Sequence, residues 1–296
     1  MADSGVRAVA VLGTGLMGAA IARVLAKSGC VVTVWNRTAE KAKVLAELDG
    51  ITAADTAADA VAFADVTLVV LLNSAHVEAA FAGVDLAGRT IVNLVTGTPD
   101  EMAGLGDLVT SRGGRYLAGA IAGYPQDIGA EKGALVYSGS AEIYNELKGT
   151  LVKLGGRSTL VSERLGGAAA TIAALGGFAV VAITAYIEAI AFVQSEGVAL
   201  DKLGDVTDTV LGVVESGIAE SARAIQAGDF ETDQAALRTY LKAFETFMEA
   251  FDSAGSRSVL IGALTKNLAD GVAAGYGNKA LAALAKLPRE LDVQLI

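Results

Sequence analysis

The chain has 296 residues, 53% of them hydrophobic, with 35 glycines, three prolines and a formal charge of −10. That length holds one large domain or two of ordinary size, and the composition is that of a globular protein able to bury a core. The acidic balance, with no cluster of Lys or Arg, excludes a nucleic-acid-binding surface. Cys30 is the only cysteine, which excludes an intrachain disulfide and a Cys-based metal site; His76 is the only histidine, which excludes a His-based zinc site and a Ser-His-Asp triad.

The opening Met-Ala-Asp-Ser-Gly lacks the basic-then-apolar pattern of a secretory leader, so a cytoplasmic location is expected. In chain order, apolar runs predict strands over 6–12 and 30–35, with helices over 16–28 and 39–48. Further strands are expected at 65–72, 90–94, 115–118, 134–138 and 158–161, with a helix over 141–154 before the last. Strands alternating with helices imply an α/β domain built on a parallel sheet with right-handed crossovers. After about residue 162 the strand pattern stops. Long apolar-periodic helices follow, over 166–196, 200–226, 233–254 and 256–274, then 278–287. The expected division is 1–162 for the sheet domain, 163–196 for a connecting helix and 197–296 for an all-helical domain.

Residues 166–187 carry no formal charge, a length that could span a bilayer. They are dominated by Ala and Gly, Glu188 follows at once, and no basic or aromatic belt flanks them. The expectation is therefore no membrane span but a helix buried on all sides in protein.

Gly13-Thr14-Gly15-Leu16-Met17-Gly18 gives G-x-G-x-x-G between a predicted strand and a predicted helix. In that setting the first glycine permits a tight turn, the second lets a pyrophosphate approach the backbone, and the third lets helix and strand pack closely. The helix N-terminus then offers free N–H groups to phosphates. The second strand selects the nucleotide. Where an NAD site ends in Asp or Glu, this chain has Trp35-Asn36-Arg37-Thr38, with Lys41 a turn later. A guanidinium, a hydroxyl and an ammonium, with no carboxylate, suit a 2′-phosphate, so the cofactor is read as NADPH. Leu72, which ends the strand at 65–72, and Asn73, which follows it, belong to the expected cofactor wall. Thr38 also suits a helix N-cap.

With these residues in hand, the chain resembles the β-hydroxyacid dehydrogenase superfamily, and within it the imine reductases and reductive aminases. The resemblance covers the whole length. It rests on the Gly13–Gly18 loop, on Val34-Trp35-Asn36-Arg37-Thr38 with Lys41, and on Asn93-Leu94-Val95-Thr96-Gly97-Thr98-Pro99. Gly119 to Pro125 with Ile128-Gly129, and Gly275-Tyr276-Gly277-Asn278, complete it. It implies an N-terminal Rossmann domain, a long interdomain helix and a C-terminal helical dimerisation domain. It also implies a homodimer interlocked through its helices, each active site lying between one Rossmann domain and the partner's helices.

The hydroxyacid dehydrogenases of the superfamily carry a Ser-Gly-Gly substrate loop, which falls here on Ala122-Gly123-Tyr124. Their catalytic Lys falls on Thr171, and the Asn one turn later on Ala174 or Leu175. Without that Lys nothing there can move a proton to or from an alcohol, so reduction of C=N is expected over C=O. Imine reductases place Asp or Tyr where this chain has Thr171, whose hydroxyl is too weak an acid to protonate an amine but can orient water or substrate. An iminium arrives with its proton, so the protein needs mainly to orient it against the nicotinamide. The substrate classes implied are an imine, or a ketone plus an amine, without a metal. A hydroxyacid or semialdehyde dehydrogenase, and an NADPH-binding protein without catalysis, are the alternatives.

The candidate catalytic residues are Thr171, Asn93 and Tyr240. Asn93 and Thr96 follow a strand's carboxyl end, where open α/β sheets bind ligands, and are also cofactor candidates. Tyr240 lies on a helix that the family's partner chain contributes. The expected substrate wall is Thr96, Ala120, Ile121, Ala122, Tyr124, Leu175 and Phe178, with Tyr240. Ordinary packing competes for each apolar member, and a turn role competes for Thr96. His76 is read as abutting the cofactor loop or solvent, not as a base. Glu188 is read as a satisfied polar group or a dimer contact.

Overall fold

A computed structural model describes residues 8–288. It divides into two compact units, Met1–Phe178 and Ala179–Ile296. Among the described residues the first unit holds eight strands: β1 (Ala8–Leu12), β2 (Val31–Trp35), β3 (Ile51–Ala53), β4 (Val66–Val69), β5 (Thr90–Asn93), β6 (Arg115–Ala122), β7 (Ala134–Gly139) and β8 (Thr159–Ser162). Residues 6 and 7, where the first strand was expected to begin, lie outside the described residues.

The strands form one sheet in the order β3-β2-β1-β4-β5-β6-β7-β8. Side chains alternate across it and build two core layers. Val9, Val11, Val32 and Val34 face α1 (Leu16–Lys27), α2 (Ala39–Leu45) and α6 (Ala141–Leu151). Ala10, Leu12 and Ile91 face α3 (Ala57–Phe63), α4 (Ser74–Phe81) and α5 (Pro99–Ser111). The expectation of a wholly parallel sheet needs one correction. β6 and β7 pair antiparallel, Ile121 opposite Leu135, because only a single 3-10 turn, Pro125–Asp127, connects them. A parallel return needs a helix-sized crossover. α6 supplies one between β7 and β8, which are parallel.

Four elements went unread: β3, α3, α4 and α5. Each helix carries its own start signal. Thr56 Oγ1 accepts from Asp59 N at 3.0 Å, Asn73 Oδ1 accepts from His76 N at 3.1 Å, and Thr98 forms a capping box with Glu101 ahead of α5, with Pro99 in the first turn.

α7 (Gly167–Ser195) begins in the first unit and ends in the second. The second unit continues with α8 (Gly204–Ala227), α9 (Leu237–Ser253) and α10 (Val259–Gly271). Where a helix over 278–287 was expected, α10 instead passes into a π-helical turn kinked at Gly275 (φ 90°), and Leu281–Lys286 is 3-10. Leu237, Leu268 and Ala283 form this unit's buried core, and Phe192 stacks on Phe251 at 4.2 Å. Glu188 is buried and satisfied: its Oε2 accepts from Leu260 N at 3.1 Å, in the first turn of α10, and Arg257 Nε lies 3.6 Å from its Oε1. The expectation that α7 is covered on all sides is not met within one chain. It is long and apolar enough to cross a membrane, yet only 11% of its most apolar 18-residue window is buried.

Candidate active site

The turn from β1 into α1 shows why three glycines are spaced as they are. Gly13 sits at φ 104°, and a Cβ there would lie 2.3 Å from Val70 O. A Cβ on Gly18 would lie 1.9 Å from Gly13 O, so helix and turn touch backbone to backbone. Around Gly15 nothing lies within 4 Å of the position a Cβ would take. Gly15 is the N-cap of α1 and offers no side-chain cap, so the first N–H groups stay available to a phosphate.

A cavity of about 1210 Å³ in the first unit opens from this turn across the carboxyl ends of the strands. Its wall includes Gly13, Gly15, Leu16, Met17 and Gly18. At one end lie Asn36, Arg37, Thr38 and Lys41. Asn36 Oδ1 accepts from Thr14 N at 3.2 Å and its Nδ2 donates to Thr38 O at 3.1 Å, which ties the glycine turn to the end of β2. Thr38 is the N-cap residue of α2 but its side chain makes no cap bond. Its hydroxyl is left for an anion. Arg37 and Lys41 are exposed and form no ion pair among the described residues. The donor set fits a dinucleotide carrying a 2′-phosphate. The end is not free of carboxylates, however: Asp55, just after β3, reaches the wall with Thr56.

At the other end the wall is Leu94, Val95, Thr96, Gly97, Ala120, Ile121 and Gly123, joined by Ala169, Ile172 and Ala173 of α7. Thr96, Ala120 and Ile121 stand where the sequence placed them. Leu72 also lines the cavity.

Other expected residues lie elsewhere. Asn93 is fully buried: strand alternation turns it to the face of Ile91, where its Nδ2 donates to Tyr116 Oη at 3.0 Å and approaches Met102 Sδ at 3.3 Å. Its Oδ1 accepts from Val95 N at 3.3 Å. Asn93 thus shapes the Leu94–Thr96 wall from behind and does not enter the cavity. Burial pushes the Tyr116 phenol up to about 12, against a smaller lowering by the Asn93 hydrogen bond.

Thr171 does not line the cavity, and its hydroxyl donates to Gly167 O at 2.8 Å, back onto its own helix. Asn73 spends its side chain capping α4 and is not on the wall. Thr14 turns the other way, toward a smaller hollow with Arg23, Glu40 and Lys41. Ala122, Tyr124, Leu175 and Phe178 are exposed outside the cavity wall, Tyr124 held by its N–H to Asp127 Oδ2 at 2.7 Å. Tyr240 packs, half-buried, on the Leu237 core of the second unit. His76, read from sequence as abutting the cofactor loop or solvent, lies on the wall, and Trp35, Asp55, Ala169 and Ile172 are wall residues outside the expected site. For Ala169 and Ile172 no signal existed, because an apolar helix does not say which face it presents.

The model of the NAD binding domain of 6-phosphogluconate dehydrogenase matches residues 8–162, and that of the C-terminal domain of NADPH-dependent reductive aminase-like proteins matches residues 166–290. An NADPH-dependent reductive aminase from Aspergillus oryzae is 30% identical over 282 residues, covering 93% of this chain and 95% of that protein. The chain belongs to the imine reductase and reductive aminase family. Solved structures of that family share its fold. An imine reductase from Myxococcus stipitatus in complex with NADP+ matches with a TM-score of 0.87 at 29% identity, over 94% of this chain and 99% of that one. A reductive aminase from Aspergillus terreus, in complex with NADPH4, cyclohexanone and allyl amine, matches with a TM-score of 0.86 at 30% identity, over 95% and 99%. As a family member the chain is an NADPH-dependent oxidoreductase acting on C=N bonds.

Proposed function

We propose that this imine reductase reduces preformed imines and iminium ions, and the C=N bond formed from a ketone and an amine, to chiral amines. One observation carries the proposal. Where the cavity runs past Thr96 to Ala120, Ile121, Ala169 and Ile172, no ionisable side chain among the described residues stands on its wall. Carbonyl reduction needs an acid to protonate the developing alkoxide, whereas an iminium becomes an amine without one. Bound NADPH supplies the hydride. The chain's own residues hold and shelter: Arg37, Thr38 and Lys41 grip the 2′-phosphate, the α1 N-terminus takes the pyrophosphate, and Ala120, Ile121 and Ile172 keep water from the reacting carbon. Thr96 offers one hydroxyl for orientation. Its position at the sheet's carboxyl edge supports that role.

The working unit in this proposal is a cytoplasmic homodimer, with residues 1–162 binding cofactor, 163–196 connecting, and 197–296 dimerising and completing the substrate pocket. The experiment is an NADPH-oxidation screen over cyclic imines and ketone-plus-amine pairs, run beside oxidation of 3-hydroxy acids with NADP+. Turnover of the imines supports the proposal. Turnover confined to the hydroxy acids overturns it.

A further inference from the structure

We propose that His76 is a cofactor-binding residue whose Nε2 accepts a hydrogen bond from a neutral donor of the bound dinucleotide, a sugar hydroxyl, the exocyclic amino group of adenine or the carboxamide N–H. The proposal rests on the NADPH site described above and adds a residue on its α4 wall. α4 starts directly after β4, at the carboxyl edge of the sheet, and Asn73 is its N-cap. Asn73 Oδ1 accepts the backbone N–H of His76 at 3.1 Å and lies 2.6 Å from His76 Nδ1. A backbone N–H can only donate, so the atom facing it is the amide oxygen. That oxygen can only accept, so Nδ1 carries the ring proton and the neutral imidazole presents Nε2 as a lone pair.

His76 lines the cavity, and the other α4 residues on that wall are Ala79 and Ala80. Nε2 is therefore the polar atom α4 offers a ligand there. Phosphate oxygens are acceptors and do not match a lone pair; sugar hydroxyls and the amino groups of the bases do. The cap fixes the ring before anything binds, so little side-chain freedom remains to be lost on contact.

The chain contains a single histidine, so 15N labelling of histidine gives one pair of imidazole signals. At pH 8 the expected apo spectrum has a protonated Nδ1 and an unprotonated Nε2. Saturation with NADPH should move the Nε2 signal and leave Nδ1 nearly in place. Titration with 2′,5′-ADP and with nicotinamide mononucleotide assigns the donor to one half of the cofactor. His76→Phe should weaken NADPH and NADH by the same factor, about 2–10-fold, the size of one neutral hydrogen bond. His76→Gln, which keeps an acceptor, should recover part of the loss. NADPH binding seen by its fluorescence with both imidazole signals unmoved, or a proton found on Nε2, overturns the proposal while leaving the cofactor site intact. No binding of NADPH by the wild-type chain would overturn the site itself.

Discussion

Arg37 and Lys41 reach the cavity unpaired by any described carboxylate, so their charge is free for a ligand. Arg37→Ala should cost about 1.5–3 kcal/mol of NADPH binding, the range for hydrogen bonds to charged groups, and leave NADH binding nearly unchanged. Fluorescence titration of both cofactors checks this, and an equal loss for both would remove the 2′-phosphate from Arg37. Thr171 carries the opposite expectation. Its hydroxyl already donates to Gly167 O at 2.8 Å, so Thr171→Val should change kcat on a preformed cyclic imine by less than about threefold. A hundredfold loss with intact NADPH binding would put that hydroxyl back into the chemistry. Tyr116 links burial to pH. The unfolded phenol ionises near pH 10 while the folded one, desolvated beside Asn93, holds its proton to about 12. Stability is therefore full below pH 10 and falls between about 10 and 12. Burial raises the Tyr137 phenol as well, so Tyr116→Phe should shallow this alkaline decline without abolishing it. Urea midpoints at pH 8, 10 and 11 read the slope; parallel declines in both proteins would refute the assignment. These residues also show where sequence stops informing. Asn36, Arg37, Thr38 and Lys41 stand on the cavity wall because the end of β2 and the start of α2 fix them at the sheet's carboxyl edge. Asn93 does not: in a strand the side chain's face depends on register, and one residue's shift moves it from cavity to core.

The turn around Gly13, Gly15 and Gly18 separates folding from binding within one short element. Gly18→Ala would drive a methyl to 1.9 Å from Gly13 O, a clash with backbone that neither partner can relieve by changing rotamer. Overpacking of this kind costs on the order of 3 kcal/mol. A clear fall in thermal midpoint is expected. Gly15→Ala has open space and an ordinary φ of −66°, so the fold should be kept; NADPH affinity should drop tenfold or more because the methyl occupies the pyrophosphate's approach. A Gly15→Ala protein that binds NADPH as the wild type does would show the phosphates pass elsewhere. Other elements divide along a physical line. The middles of β1, β2 and β5 are buried on both faces and are built on Val with Ala, Leu, Ile or Thr beside it, and α1, α6 and α9 are longer helices with apolar periodicity. β3 has three residues and α3 seven, too few to show a period, and only α3 has a cap, at Thr56, that could announce it. Ahead of α5, Thr98-Pro99-Asp100-Glu101 carries a capping box with Pro in the first turn, a start signal sufficient to announce the helix.

Across the whole molecule the unanswered surface is that of α7 and α8. Val180, Val181, Ile183 and Ile187 on α7 are more than half exposed in the isolated chain, as are Val206, Val210, Leu211 and Val213 on α8. Apolar surface of that extent marks contact with protein or lipid. Two facts favour protein. Ala and Gly dominate the first half of α7, which suits close helix approach more than an acyl chain, and Glu188 sits on the same helix with its carboxylate bound to Leu260 N and beside Arg257. An ionised pair in that position is costly in hydrocarbon and inexpensive where neighbouring protein already satisfies it. A second copy of the chain is the covering proposed here, with the same apolar stripe meeting its own counterpart. Light scattering on the wild-type chain at micromolar concentration should therefore report twice the chain mass without detergent. Ile183→Lys places a charge in the stripe without touching the Rossmann cavity, whose wall ends at Ala173. It should shift the mass toward one chain and lower imine turnover by at least tenfold. Its affinity for NADPH should stay within about threefold of wild type, because Gly15, Arg37 and Lys41 all belong to the first unit. A wild-type chain that is monomeric and fully active, or one that leaves the lipid fraction only with detergent, would reject the dimer.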